Sequence, residues 1–121
     1  MPLPHILVID RDPLLSETVS QMLQIRGYIP TQLASFTKAL GTLHGISFNA
    51  VIARIGSEEP YESIFLEEAK LLQPRLKIII TTSSRRPSPQ LKHYDAVLSL
   101  PFDIDQLDET LRQVLGEQRN V

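Results

Sequence analysis

Apolar residues in this chain fall into short continuous runs separated by longer stretches in which they recur every three or four positions. Ile6, Leu7, Val8 and Ile9 form the first run, rich in β-branched residues and ended by Asp10. A run of that kind is what a central parallel strand buried on both faces requires. Asp12 then offers an N-cap with Pro13 at the first helical position, and Leu14, Leu15, Val19, Met22, Leu23 and Ile25 continue at helical spacing up to Gly27, a C-terminal stop. Tyr28 to Leu33 predicts a second strand, placed at the sheet edge by Pro30. Ser35 caps a second helix through Phe36, Ala39, Leu40 and Leu43 that stops near Gly45.

The second half repeats the alternation. Phe48 to Arg54 predicts a third buried strand, and a polar loop from Gly56 to Pro60 leads into a helix carrying Ile64, Phe65, Leu66, Ala69, Leu71 and Leu72, closed by Pro74. Lys77 to Thr82 is the clearest strand. The stretch from Ser83 to Pro89 reads as loop, since Pro87 and Pro89 disfavour helix, so a fourth helix is short, about Gln90 to His93. Ala96 to Ser99 gives a fifth strand, Pro101 a turn, and Asp103 caps a last helix with Ile104, Leu107, Leu111, Val114 and Leu115, ended by Gly116. Strands alternating with helices imply parallel pairing and a three-layer αβα sandwich. Functional groups in such sheets gather at the carboxyl ends of the strands, which brings Asp10, Arg11, Asp12, Arg54, Thr81 and Leu100 to one crevice.

Length and charge narrow the picture. A chain of 121 residues, 42% hydrophobic, fits a single domain spanning residues 1–121, with Glu117 to Val121 as a polar tail or the start of a linker. A net charge of −2 argues against a nucleic-acid face. Without cysteine there is neither a disulfide framework nor a thiolate metal site. The N-terminus meets Asp10 too soon to be a signal peptide or a spanning helix, so no membrane partner is expected and the cytoplasm is the expected location.

In its order of elements the chain resembles the receiver domain of bacterial two-component response regulators. Three stretches carry the resemblance: Ile6 to Pro13 for the first strand and its acidic cluster, Ile78 to Thr82 for the fourth strand with its hydroxyl residue, and Ser99 to Phe102 for a Lys-Pro-Phe turn. The resemblance implies a flavodoxin-like fold with a five-stranded parallel sheet in the order 2-1-3-4-5. In that family two carboxylates after the first strand hold Mg2+, an aspartate ending the third strand takes a phosphoryl group, and a lysine before the proline pairs with it.

Here the pattern is broken where the chemistry lies. Arg54 stands at the phosphoacceptor position, Arg11 interrupts the acidic pair, Leu100 replaces the lysine before Pro101, and Val97 takes the position of the switch aromatic, with Thr81 as the switch hydroxyl. A guanidinium cannot attack a phosphoryl donor, and the loss of the lysine removes a group that would stabilise transferred charge. The expectation is a pseudo-receiver: no catalytic residue, no enzyme, no cofactor, and Asp10 and Asp12 as the sole vestige of a Mg2+ site. Arg54 is expected to pair with Asp10 or Asp12 in place of the metal. Asp12 serves equally as a helix cap.

A protein partner or a second copy is expected on the region Gln90–Leu115, the counterpart of a face through which receivers commonly dock. Two alternatives stand beside this reading. One is a phosphorylatable receiver using another acid, such as Glu58 or Asp95, in a phosphorelay; the other is a flavodoxin-like binder of a small ligand in the same crevice. His5, His44 and His93 lack metal-ligand spacing, Arg85 and Arg86 read as solvated, and Glu58, Glu59, Glu62, Glu67 and Glu68 read as a solubilising acidic face.

Overall fold

The computed structural model describes residues 2–56, 59–83, 89 and 91–116. Its elements are β1 (His5–Ile9), α1 (Pro13–Ile25), β2 (Ile29–Leu33), α2 (Phe36–Leu43), β3 (Ala50–Arg54), α3 (Glu59–Leu72), β4 (Lys77–Thr82), β5 (Ala96–Ser99) and α4 (Ile104–Leu115). The strands pair in parallel in one sheet, in the order β2-β1-β3-β4-β5. This is the flavodoxin-like α/β sandwich expected, with β2, the strand that carries Pro30, at one edge.

The alternation of side chains along each strand builds two cores. Leu7 and Ile9 of β1 point into a cluster with Ala39, Leu43, Phe65, Leu66 and Ala69 from α2 and α3. Ile6 and Val8 point the other way, onto Val19 and Leu23 of α1 and Leu107 and Leu111 of α4. Each fully buried Leu, Ile or Phe contributes about 1.5–3 kcal/mol relative to exposure, and both faces of the central strands are filled in this way.

Local chemistry sets the ends of the elements. The Asp12 carboxylate accepts hydrogen bonds from the amides of Leu14 and Leu15 at the start of α1. Ser35 caps α2 through the Lys38 amide. Asp103 and Gln106 form a reciprocal capping box on α4, which ends at Gly116 with φ +77°, a conformation that glycine adopts without strain.

Several expectations are corrected. The polar loop is shorter than its composition suggests, because α3 already begins at Glu59 and takes Pro60 into its first turn, where a missing N–H costs nothing. β3 begins at Ala50 and not at Phe48, whose amide donates to Gln73 Oε1 instead of to a strand; Asn49 still bonds the backbones of His5 and Lys77. No helix spans residues 91–95 before β5, and His93 has φ +68°. That segment is tied to the sheet instead: the Asp95 amide donates to Ile78 O at 2.7 Å, while its carboxylate accepts from the Ile78 amide and Lys70 Nζ, both at 2.8 Å. Leu14, Ile25, Ile64 and Leu71, placed at helical spacing with the core residues, stand exposed. Glu58, Arg85, Arg86, Gln90 and the tail Glu117 to Val121 lie outside the described residues. No helix among the described residues is long and apolar enough to cross a membrane.

Candidate functional site

The site forms where β1 and β3 end side by side. Asp10 follows β1, and its amide donates to Leu33 O at 3.2 Å, holding the strand end against β2. Its Oδ1 accepts from the Asp12 amide at 2.9 Å, a turn that aims the chain into α1. Arg54, the last residue of β3, brings Nη1 to 3.7 Å from Asp10 Oδ2, with the aspartate side chain 8% and the arginine side chain 34% exposed. The contact is an ion pair longer than a hydrogen bond. Partly open to water, such a pair contributes about 1 kcal/mol or less.

The crevice expected at the strand ends is two recesses that share Asp10. One is a small apolar recess of about 10 Å³ between Asp10, Thr81, Leu100 and Phe102, floored by Val8 and Ile52. Thr81 is buried there, in register with Arg54 on the neighbouring strand. The peptide bond between Leu100 and Pro101 is cis, and the Leu100 amide donates to Thr82 O at 2.9 Å. The other recess is an open cleft of about 630 Å³ on the α2–α3 side, lined by Asp10, Arg11, Asp12 and Arg54. Val97 reaches neither, packing half-buried against the core beneath α2 and α3.

The wider cleft contains a residue that sequence reasoning misplaced. Glu62, assigned to an acidic surface, is 1% exposed and lines this cleft. Its Oε2 accepts from the Gly56 amide at 2.7 Å, fixing the turn after β3. Its Oε1 is buried without a hydrogen-bond partner among the described residues. The signal for its burial lay in the spacing, because Glu62 stands three, four and seven positions before Phe65, Leu66 and Ala69, all fully buried. The apolar part of the cleft is built by Phe36 and Phe65, whose rings stack with centroids 4.9 Å apart, together with Leu40, Tyr61 and Ile64.

Other charged groups are engaged elsewhere. Asp95 is held by Lys70 and the Ile78 amide at the start of β4, away from the strand ends that carry Arg54 and Thr81. At the foot of α1, the buried Asp108 of α4 accepts from Arg26 Nη1 and the Tyr28 hydroxyl, both at 2.9 Å, and lies 3.4 Å from Arg112. Arg26 also reaches Asp105 at 2.6 Å. Burial pushes the Asp108 carboxyl up, but the bonds from Arg26 and Tyr28 and the charges of Arg112 and Arg26 outweigh it and hold the group below its ordinary value. This cluster clamps α1 to α4. Among the described residues no group of three or more His, Cys, Asp or Glu side chains is arranged to hold a metal ion.

No protein-family model matches the sequence, and no curated protein matches it. Solved structures do match. A CheY-like response regulator receiver domain from Methanospirillum hungatei superposes with a TM-score of 0.85 at 24% identity, covering 98% of both chains. The chemotaxis response regulator CheY4 of Vibrio cholerae gives 0.84 at 21% identity, covering 93% of this chain and 99% of that one. The response regulator TrrA of Thermotoga maritima, in complex with Mg(2+)-BeF, gives 0.82 at 23% identity, covering 93% and 99%. The chain therefore has the fold of the CheY-like response regulator receiver domains.

Proposed function

We propose that this chain is a receiver-type module of signal transduction that takes no phosphoryl group on its third strand and acts, in the cytoplasm, by binding another protein rather than by catalysis. One observation carries the reading: Arg54 ends β3 and turns its guanidinium toward Asp10, at 3.7 Å. A cation fixed at that point offers no nucleophile, and it neutralises an acid that in a phosphorylatable receiver would serve a metal.

The remaining groups support the same reading. Mg2+ takes a near-octahedral set of oxygens, usually one or two carboxylates with waters. Here Asp10 faces the Asp12 amide and Arg54, Asp12 is occupied with the first amides of α1, and Arg11 adds a second guanidinium to the cleft. Leu100 and Phe102 make the recess beside Thr81 apolar, where a transferred phosphoryl group would need a cation. The module's output thus follows from what binds it.

Contact with a partner through residues 90–115 remains part of the proposal, although none of the large apolar side chains that stand exposed among the described residues falls between 91 and 115. The test is incubation with acetyl phosphate and Mg2+ followed by intact-mass measurement. The expected result is an unchanged mass; a stoichiometric gain of one phosphoryl group overturns the reading.

A further inference from the structure

Among the described residues, carboxylates outnumber guanidiniums in the lining of the cleft between α2 and α3. Three carboxylates, Asp10, Asp12 and Glu62, and two guanidiniums, Arg11 and Arg54, line it. Asp10 and Asp12 have their own donors, but Glu62 Oε1 has none among the described residues, and an unpaired buried carboxylate is costly until a donor reaches it.

The surface that continues from the cleft is equally specific. Tyr61, Ile64 and Leu71 of α3 stand 69%, 51% and 75% exposed. Their spacing of three and seven residues places them on one face of the helix, with the exposed Glu67 and Glu68 beside them. Tyr61 and Ile64 also line the cleft, so its apolar wall runs without a break onto this face. From Tyr61 to Leu71 the helix extends about 15 Å at 1.5 Å per residue. That is the length of a bound peptide segment and longer than a small amine.

We propose that the cleft and the exposed face of α3 together dock a basic, amphipathic segment of a partner polypeptide, one lysine or arginine side chain of which displaces the side chains covering Glu62 and reaches its carboxylate. Apolar side chains of the segment cover Tyr61, Ile64 and Leu71, and further basic side chains meet Glu67 and Glu68. This rests on the reading of the chain as a protein-binding module and adds, beside the contact at residues 90–115, a second surface and the chemistry of the segment it takes.

The test uses a fluorescein-labelled helix-forming peptide of leucine, alanine and lysine, a second peptide with glutamate in place of lysine, and n-butylammonium as a free amine. Binding is followed by fluorescence anisotropy, and its location by amide chemical shifts. The lysine peptide is expected to bind saturably with shifts confined to Phe36, Gly56 and Tyr61 to Leu71, and the glutamate peptide not to bind. Glu62→Gln is expected to weaken binding about tenfold, the scale of one charge-assisted hydrogen bond. Ile64→Ser and Glu68→Lys change exposed positions and are each expected to weaken it as well, which decides the matter should Glu62→Gln fail to fold.

Three results overturn the proposal: no saturable binding, shifts centred on β5 and α4, or n-butylammonium binding as tightly as the peptide. None of them alters the phosphoryl-mass result, so failure of the docking surface is distinguishable from failure of the proposed function.

Discussion

Arg54 and Asp10 end adjacent strands, and their side chains meet at 3.7 Å beside the mouth of the α2–α3 cleft. The parallel register sets the two residues side by side, because Ile9 of β1 pairs with Ala53 of β3 and the next residue of each strand emerges at the same edge. Removing the cation with Arg54→Ala is expected to cost less than about 1 kcal/mol, since the pair is partly in water. Arg54→Asp is expected to cost more, by setting two carboxylates together. It is also expected to leave the protein without phosphoryl uptake from acetyl phosphate and Mg2+, because Arg11 and Leu100 remain. Adding Arg11→Asp and Leu100→Lys is expected to bring slow uptake; intact mass and urea unfolding of the three variants check both claims.

Asp12 separates the structural role from a metal role. Its carboxylate bonds two amides of the first turn of α1, so Asp12→Ala is expected to cost about 1 kcal/mol as the loss of an N-cap. On the proposed reading that loss is the same with and without Mg2+. Urea denaturation of both proteins in magnesium chloride and in EDTA measures it, and a Mg2+-dependent gap between them refutes the assignment.

Asp108 gives the fold an acid limit. Its pKa is depressed in the folded state, so its contribution is fully present above the unfolded carboxyl value, near pH 4, and is lost as pH falls through the folded value. Tyr28→Phe removes one donor to the buried carboxylate and is expected to cost about 2 kcal/mol at neutral pH. The difference from the parent protein should narrow as pH falls through the folded value, where Asp108 gains its proton. Thermal unfolding from neutral pH down through that transition gives both curves, and an offset that stays constant through it contradicts the account.

The sheet was legible because its central strands β1, β3 and β4 are built on continuous apolar runs, and Pro30 put the more polar β2 at an edge. The meeting of Arg54 with an acid after β1 was legible for the same reason, since the ends of parallel strands share an edge, but the sequence left Asp10 and Asp12 both open and the structure picks Asp10. The missing helix before β5 was not, since what replaces it is the long-range bonding of Asp95 to Lys70 and Ile78, invisible to local periodicity. Glu62 shows a different failure. Its helical spacing from Phe65, Leu66 and Ala69 marks it as inward-facing, whereas its charge and its acidic neighbours suggest solvent, and position decides.

That same residue supplies the sharpest separation between a structural and a binding role. Among the described residues Glu62 Oε1 is buried without a donor, whereas Oε2 holds the Gly56 amide. Glu62→Gln keeps an acceptor for Gly56 and replaces an unpaired charged oxygen with a neutral amide, which is less costly to leave unpaired. The variant is therefore expected to be more stable than the parent by about 1 kcal/mol while binding the basic peptide more weakly. A purely structural Glu62 predicts no such opposition: its loss would lower stability, and peptide affinity would fall only as the folded fraction fell. Urea midpoints and peptide affinities of the two proteins, measured in one buffer, distinguish these outcomes, and a destabilised variant with unchanged affinity eliminates the docking role.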